Sequence, residues 1–203
     1  MFSGCKALYD IKPLKKWNVS KGNDFSYMFN HCESLIDISP LENWDVSNSN
    51  NYKGMFNNCL LLSDIQSLEK WNVSKGRDFS YMFSGCKLLL HIKPLKLWNV
   101  SNSINFSFMF NNCSSLSDIK PLEKWNVSRS NDFSYMFNCC SSLSRIASLR
   151  KWKISNTVNI SYMFSECISL SDAKPLVNWK LSKDSKFKST FDGCISLLDI
   201  KPL

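Results

Sequence analysis

Histidine, glycine and proline are scarce in this 203-residue chain, at two, six and six residues, against fourteen Phe, nine Cys and seven Trp. That balance is skewed for an ordinary globular enzyme and points to repetition. No run of eighteen or more apolar residues occurs, which excludes a helical membrane span. The start, MFSGCKALYD, lacks a charged segment followed by an apolar one, so no signal peptide is expected in this chain. No C-x-x-C pair occurs, and the nine cysteines therefore show no metal-binding or redox spacing. Charged residues make up 21% and hydrophobic ones 44%, enough apolar material for a packed core and too little charge for a disordered chain.

Repetition is present throughout. Tryptophan recurs at Trp17, Trp44, Trp71, Trp98, Trp125, Trp152 and Trp179, and cysteine at Cys5, Cys32, Cys59, Cys86, Cys113, Cys140, Cys167 and Cys194, every step being 27 residues. Phe29, Leu35 and Leu41 stand in columns of identical residues, and the Ile38 and Val46 columns depart only to other apolar residues. One such unit cannot bury its own apolar side chains, so each must cover the next. The expectation is an α/β repeat solenoid, leucine-rich-repeat-like, with one short helix plus short strands per coil. It forms a single domain over residues 1–203, made of seven full repeats plus a partial one. Because the chain starts and stops inside a repeat, it is expected to be a segment of a longer array. Its apolar terminal coils are expected to receive an identical coil or neighbouring polypeptide.

Within a unit, Phe25, Met28, Phe29 and Cys32 fall at i, i+3, i+4 and i+7, which predicts an amphipathic helix with Asp24 or Asn23 as its cap. Leu35 to Ile38 and Trp44 to Ser47 are predicted as short strands, and Ser39-Pro40-Leu41-Glu42 as a capped turn or single helical turn. A second period of 54 residues places Lys21, Lys75, Arg129 and Lys183 on alternate coils, with Asn48, Asn102 and Asn156 between them.

The combination MFxxCxxLxDIxPLxxWNVS, complete in residues such as Met82, Phe83, Cys86, Trp98 and Ser101, resembles the BspA-like leucine-rich-repeat surface proteins over the whole chain. The resemblance implies adhesion or protein binding, in some settings a scaffold, and no catalysis. It also implies a surface protein, whereas the thiol content favours a reducing compartment.

The chemical features that might suggest other functions have simpler explanations. The column cysteines lie on the apolar stripe and are expected to be core residues. Cys139, beside Cys140 and outside the column, is the candidate reactive thiol. His31 and His91 belong to no column and have no evident carboxylate or nucleophile partner, so no catalytic site is expected and no cofactor or metal is called for. Asn18, Asn72, Asn99, Asn105, Asn112, Asn126 and Asn159 head N-x-S/T sequons whose simplest role is turn formation.

The net charge of +8 is distributed in rows. Asp10, Asp37, Asp64, Asp118, Asp172 and Asp199 form one, and Lys12, Lys93, Lys120, Lys174 and Lys201 another two positions on, which on a strand would pair as a ladder of opposite charges. Tyr27, Tyr81, Tyr135 and Tyr162 are expected at the rim. The candidate binding face comprises Asp10, Asp37, Asp64, Asp118, Asp172, Lys12, Lys93, Lys120, Lys174 and these four tyrosines, with the changeable positions 33, 34, 36, 42 and 43 and their equivalents on the same side. A non-catalytic module for protein binding or adhesion is the expected function. The alternatives are a structural subunit assembling end to end with identical chains as a fibre or coat, and a glycan-binding surface. No nucleic acid, membrane span or small-molecule substrate is expected.

Overall fold

Hydrogen bonds between residues about one repeat apart define the architecture. The structure, a computed structural model, describes residues 1–155 and 157–198. Asn156, Asp199, Lys201 and the apolar terminal residues Ile200, Pro202 and Leu203 lie outside the described residues. We number the coils by their column cysteine, from coil 1 with Cys5 to coil 8 with Cys194.

In coil 2 the N–H groups of Phe25, Tyr27, Phe29 and His31 donate to the carbonyls of Asn51, Lys53, Met55 and Asn57 in coil 3, at 2.7–2.9 Å. The N–H groups between them turn inward on their own coil, Met28 to Phe25, Asn30 to Tyr27 and Cys32 to Phe29. Tyr27 and His31 have φ of 54° and 56°, and the equivalent pair is left-handed in the coils that follow, as at Tyr81 and Gly85 or Tyr135 and Cys139. A positive φ at the third residue is the mark of a type II turn. The segment predicted as a helix is therefore a run of turns stacked coil on coil. The i, i+3, i+4, i+7 spacing still delivers Phe25, Met28, Phe29 and Cys32 to the interior, all of them buried. A helix would have satisfied each N–H within its own coil; the left-handed residues release every second one to the neighbour.

The only helical elements among the described residues are single 3-10 turns, Lys12–Lys16, Ser39–Leu41, Gln66–Leu68, Lys93–Leu97, Lys120–Lys124, Ala147–Lys151 and Lys174–Asn178. Five of the seven carry Pro in the first two positions, where its fixed φ suits the turn and its missing N–H costs nothing. Strand pairing among the described residues is confined to isolated parallel bridges, Asp24 to Asn51 and onward along that column to Lys186, and His91 to Asp118. Where short strands were predicted, Trp44 and Val46 do alternate inward around exposed Asp45, but without a strand ladder. The result is a solenoid of turns.

Asx turns close each coil at its corners. In coil 2 and the start of coil 3, Asp24, Asp37 and Asp45 each accept the N–H two residues on, from Ser26, Ser39 and Ser47. Asn18, Asn72, Asn99 and Asn126 do the same for Ser20, Ser74, Ser101 and Ser128, so the asparagine row of the sequons is a turn-forming row. The 54-residue period has a contact of its own: Lys75 donates to Asn48 and Arg129 to Asn102, each across one coil boundary.

Two side-chain ladders and a ring stack fasten the interior. Each buried Trp reaches the backbone of the coil before it, as where the Trp98 Nε1–H donates to the Leu68 carbonyl at 3.0 Å. The column thiols do likewise, Cys113 Sγ to the Phe83 carbonyl at 3.1 Å. The rings of the Phe29 column stack on one another from Phe2 to Phe191 at 5.6–5.8 Å. Trp98 packs against Phe79, with ring centroids 5.8 Å apart. Burial pushes the column thiols up, to about 11 for Cys32 and Cys194 and about 12 for Cys86, and further for the others between them. Cys5 is exposed and departs from the expected run of core thiols; each later column thiol is covered by the coil before it, to whose carbonyl its Sγ donates.

Trp98→Ala is expected to cost about 3–5 kcal/mol as a large-to-small change in the core. Trp98→Phe keeps a ring but removes one of the two hydrogen bonds to the Leu68 carbonyl, which still accepts the Trp71 N–H, at about 0.5–1.5 kcal/mol. Urea unfolding measures both, and an Ala cost under about 1 kcal/mol would place the Trp column outside the core. The raised thiols have a second consequence. Well below the ordinary thiol value of about 8.5 the buried thiols are protonated in folded and unfolded chains alike and their stabilising contribution is intact; above it unfolded thiols ionise first, and stability falls as pH rises toward the folded values. The urea midpoint should therefore drop between pH 8.5 and about 11, and Cys113→Ala should shallow that drop. A maleimide should label Cys5 and Cys139 in native protein and the remaining thiols only in denaturant; fast labelling of four or more would refute the buried ladder.

Candidate functional site

The Asp row stands two positions before the 3-10 turns begin. Asp10, Asp64, Asp118 and Asp172 accept the N–H of Lys12, Gln66, Lys120 and Lys174 at 2.7–2.9 Å, as Asp37 does from Ser39. Each carboxylate thus faces its own backbone, where it caps a turn. Among the described residues the expected ladder of Asp–Lys pairs does not form. Only Lys12 approaches its Asp, at 3.8 Å from Asp10, and the other ion pairs among the described residues join different positions: Lys6 to Glu33, Lys70 to Glu42 and Lys151 to Glu123. The physical reason is local. This segment is not a strand, and each Asp carboxylate is taken up by the backbone N–H two residues on, where a strand would have left it free for the Lys ammonium.

Those Lys side chains open onto a groove of about 760 Å3 across coils 3 to 5. Ile92, Pro94 and Pro121 contribute its apolar surface, and Lys93, Lys96, Lys120 and Lys124 its positive charge. Asp64, Asp118 and Glu123 also border it, the first two engaged as caps and the third held by Lys151 at 2.6 Å. The hydrogen bond from Lys151 and its charge, with Lys120 and Lys124 adding to them, hold the Glu123 carboxyl below its ordinary value. His91 lines the same groove and stands in the Asp column, one repeat after Asp64 and one before Asp118, which corrects its expected place outside any column. A second groove of about 500 Å3 continues over coils 2 and 3, bordered by Asp37, Glu42, Asp64, Glu69 and one cation, Lys70. The two grooves share Ser63, Asp64 and Gln66, so one face runs from acidic to basic along the solenoid.

The tyrosines form a different feature. Tyr81, Phe108, Tyr135 and Tyr162 are half-buried and stack ring on ring at 4.4, 4.4 and 4.6 Å, within 10° of parallel. Their faces cover one another, leaving edges and hydroxyls to solvent. Tyr27 is separated from this stack by Gly54, where an added Cβ would meet the Tyr27 ring at 2.5 Å, and Lys53 lies 5.9 Å over that ring. Neither groove is lined by any of the four tyrosines. Cys139 is half-buried in the left-handed column of His31, Asn58 and Glu166. Burial, and after it the charge of Glu166, push its thiol up, which lowers the thiolate fraction.

The candidate face is therefore divided. Asp64, Asp118, Lys93 and Lys120 come together at the main groove and Asp37 at its continuation, while Asp10, Lys12, Asp172 and Lys174 lie on the same columns beyond them. Lys96, Lys124 and His91 join the groove without any motif that singles them out, although Lys96 and Lys124 repeat the changeable positions 42 and 43. Among the described residues no group of three or more His, Cys, Asp or Glu side chains is arranged to hold a metal ion, and no helix is long and apolar enough to cross a membrane.

No curated protein matches the chain. A crystal structure of an internalin from Listeria monocytogenes is similar at 16% identity over 96% of this chain and 74% of that one, with a TM-score of 0.22, too slight a likeness to support an argument. The family described as "Mycoplasma protein of unknown function, DUF285" matches residues 1–92 and 90–199, consecutive stretches of the repeat array just described, and the chain belongs to that family.

Proposed function

We propose that the chain is a non-catalytic repeat module that binds another protein along its 3-10 face, in the manner that its resemblance to BspA-like leucine-rich-repeat surface proteins implies. The observation that carries this reading is the groove across coils 3 to 5. It is open rather than enclosed, and its lining changes residue type from coil to coil while the interior columns repeat unchanged. A repeat array with a constant core and a changing outer row is an extended recognition surface. The tyrosine stack does not favour glycan binding, since its ring faces are occupied by one another.

A photo-crosslinking residue placed at Lys96 or Glu123 in the groove, and at Asn72 or Asn126 outside it, tests the reading in an extract of the cells that make the protein. Both groove positions are expected to give one and the same protein adduct and the outer positions none. Equal labelling from all four positions, or adducts of the chain with itself alone, would overturn it.

A further inference from the structure

The groove carries more cation than its own carboxylates neutralise, and the imbalance has a structural origin. Lys93, Lys96, Lys120 and Lys124 form no ion pair among the described residues. The carboxylates nearby are engaged elsewhere: Asp118 with the Lys120 N–H, and Glu123 with Lys151. In coil 4 the column carboxylate is missing altogether, because His91 stands where Asp64 and Asp118 stand in the adjoining coils. The same coil exposes Leu88 and Leu90, at 48% and 43%, and the equivalents of these two residues in coils 5 to 7 are all serine. Leu88 and Leu90 thus put exposed apolar side chains just ahead of His91 to Lys96, the part of coil 4 that lines the groove, whose floor holds Ile92 and Pro94 and whose rim is cationic.

Resting on the reading that this face binds protein, we infer that the groove takes an extended polypeptide segment in which carboxylate side chains alternate with apolar ones. Such a segment places its carboxylates against Lys93, Lys96, Lys120 and Lys124 and its apolar side chains against Pro94 and Pro121, and where it runs on past His91 it meets the exposed Leu88 and Leu90. The volume is that of a ligand cleft, and the open form admits a chain that enters and leaves along the coils. Complementary charge at such a rim selects the partner and speeds its arrival, while the apolar contacts retain it. A nucleic acid fits less well: no Phe, Tyr or Trp lines the groove to stack a base, and Asp64, Asp118 and Glu123 oppose a phosphodiester backbone.

Fluorescence anisotropy with the whole 203-residue chain tests this inference. The probes are a labelled short peptide of alternating Glu and Leu, the same peptide with Lys for Glu, and a labelled oligodeoxythymidine. The Glu–Leu peptide is expected to bind best and to weaken with added salt. Lys93→Glu with Lys120→Glu should weaken it on the order of tenfold or more. Leu88→Ser with Leu90→Ser should weaken it without changing the salt dependence, and Lys174→Glu, outside the groove, should leave it unchanged. All these side chains are exposed, so an unaltered urea midpoint shows that each variant is folded. Equal binding of the Lys–Leu peptide, tighter binding of the oligonucleotide, or indifference to the double charge reversal would overturn the inference. If no peptide binds while groove adducts still form in extract, the acidic chemistry is wrong and the protein-binding reading stands; if neither is seen, both fall.

Discussion

The coil-to-coil hydrogen bond from every second N–H of the turn segment is the interaction on which this structure depends. It requires two left-handed residues in each coil, and at the Tyr27 column these are mostly aromatic side chains, which do not adopt that conformation readily. The strain is repeated along the array and is offset there by ring stacking, at Tyr81, Phe108, Tyr135 and Tyr162, as well as by the released N–H groups. Once coils are bonded in this way, residues one repeat apart must lie over one another. The Phe stack, the Trp-to-carbonyl ladder and the thiol ladder all follow from that superposition.

A core built by superposition leaves little freedom inside and much outside. A Phe, Cys or Trp that must stack on its own copy cannot change in one coil without leaving a cavity or losing a hydrogen bond to the coil before it. Outer positions meet no such demand. The aspartates that cap the 3-10 turns are an intermediate case, since their carboxylates serve the backbone and are thereby withdrawn from the lysines two residues on. That withdrawal leaves uncompensated positive charge on the face, and His91 extends it by removing one carboxylate from the row.

Much of the interior was legible as columns. Phe29, Cys32, Leu35, Ile38, Leu41, Trp44 and Val46 were read as inward-facing and are buried, and Ser39–Leu41 is the single helical turn that Ser-Pro-Leu-Glu announced. The helix over Phe25 to Cys32 was not legible as what it is, because spacings of three, four and seven describe successive type II turns as well as they describe an α-helix. Nothing in Tyr27 or Phe108 advertises a positive φ, although the Gly and Asn residues at Gly4, Asn58, Gly85 and Asn112 hint at one in the column four residues on. The charged rows are legible in the sequence but their pairing is not, because it depends on a strand geometry that this segment lacks, its Asp carboxylates turning to the backbone instead.

The sequence by itself determined the period, the identity of the stacked columns and hence a solenoid, because only superposed copies can bury one another when a single unit has too little apolar surface to do so. Tertiary structure alone decided which N–H groups cross between coils, which carboxylates turn back to cap the backbone, and therefore which lysines are left to face the groove. Those choices rest on backbone dihedrals and on distances of a few ångströms between residues a repeat apart, which a one-dimensional pattern of residue types does not encode.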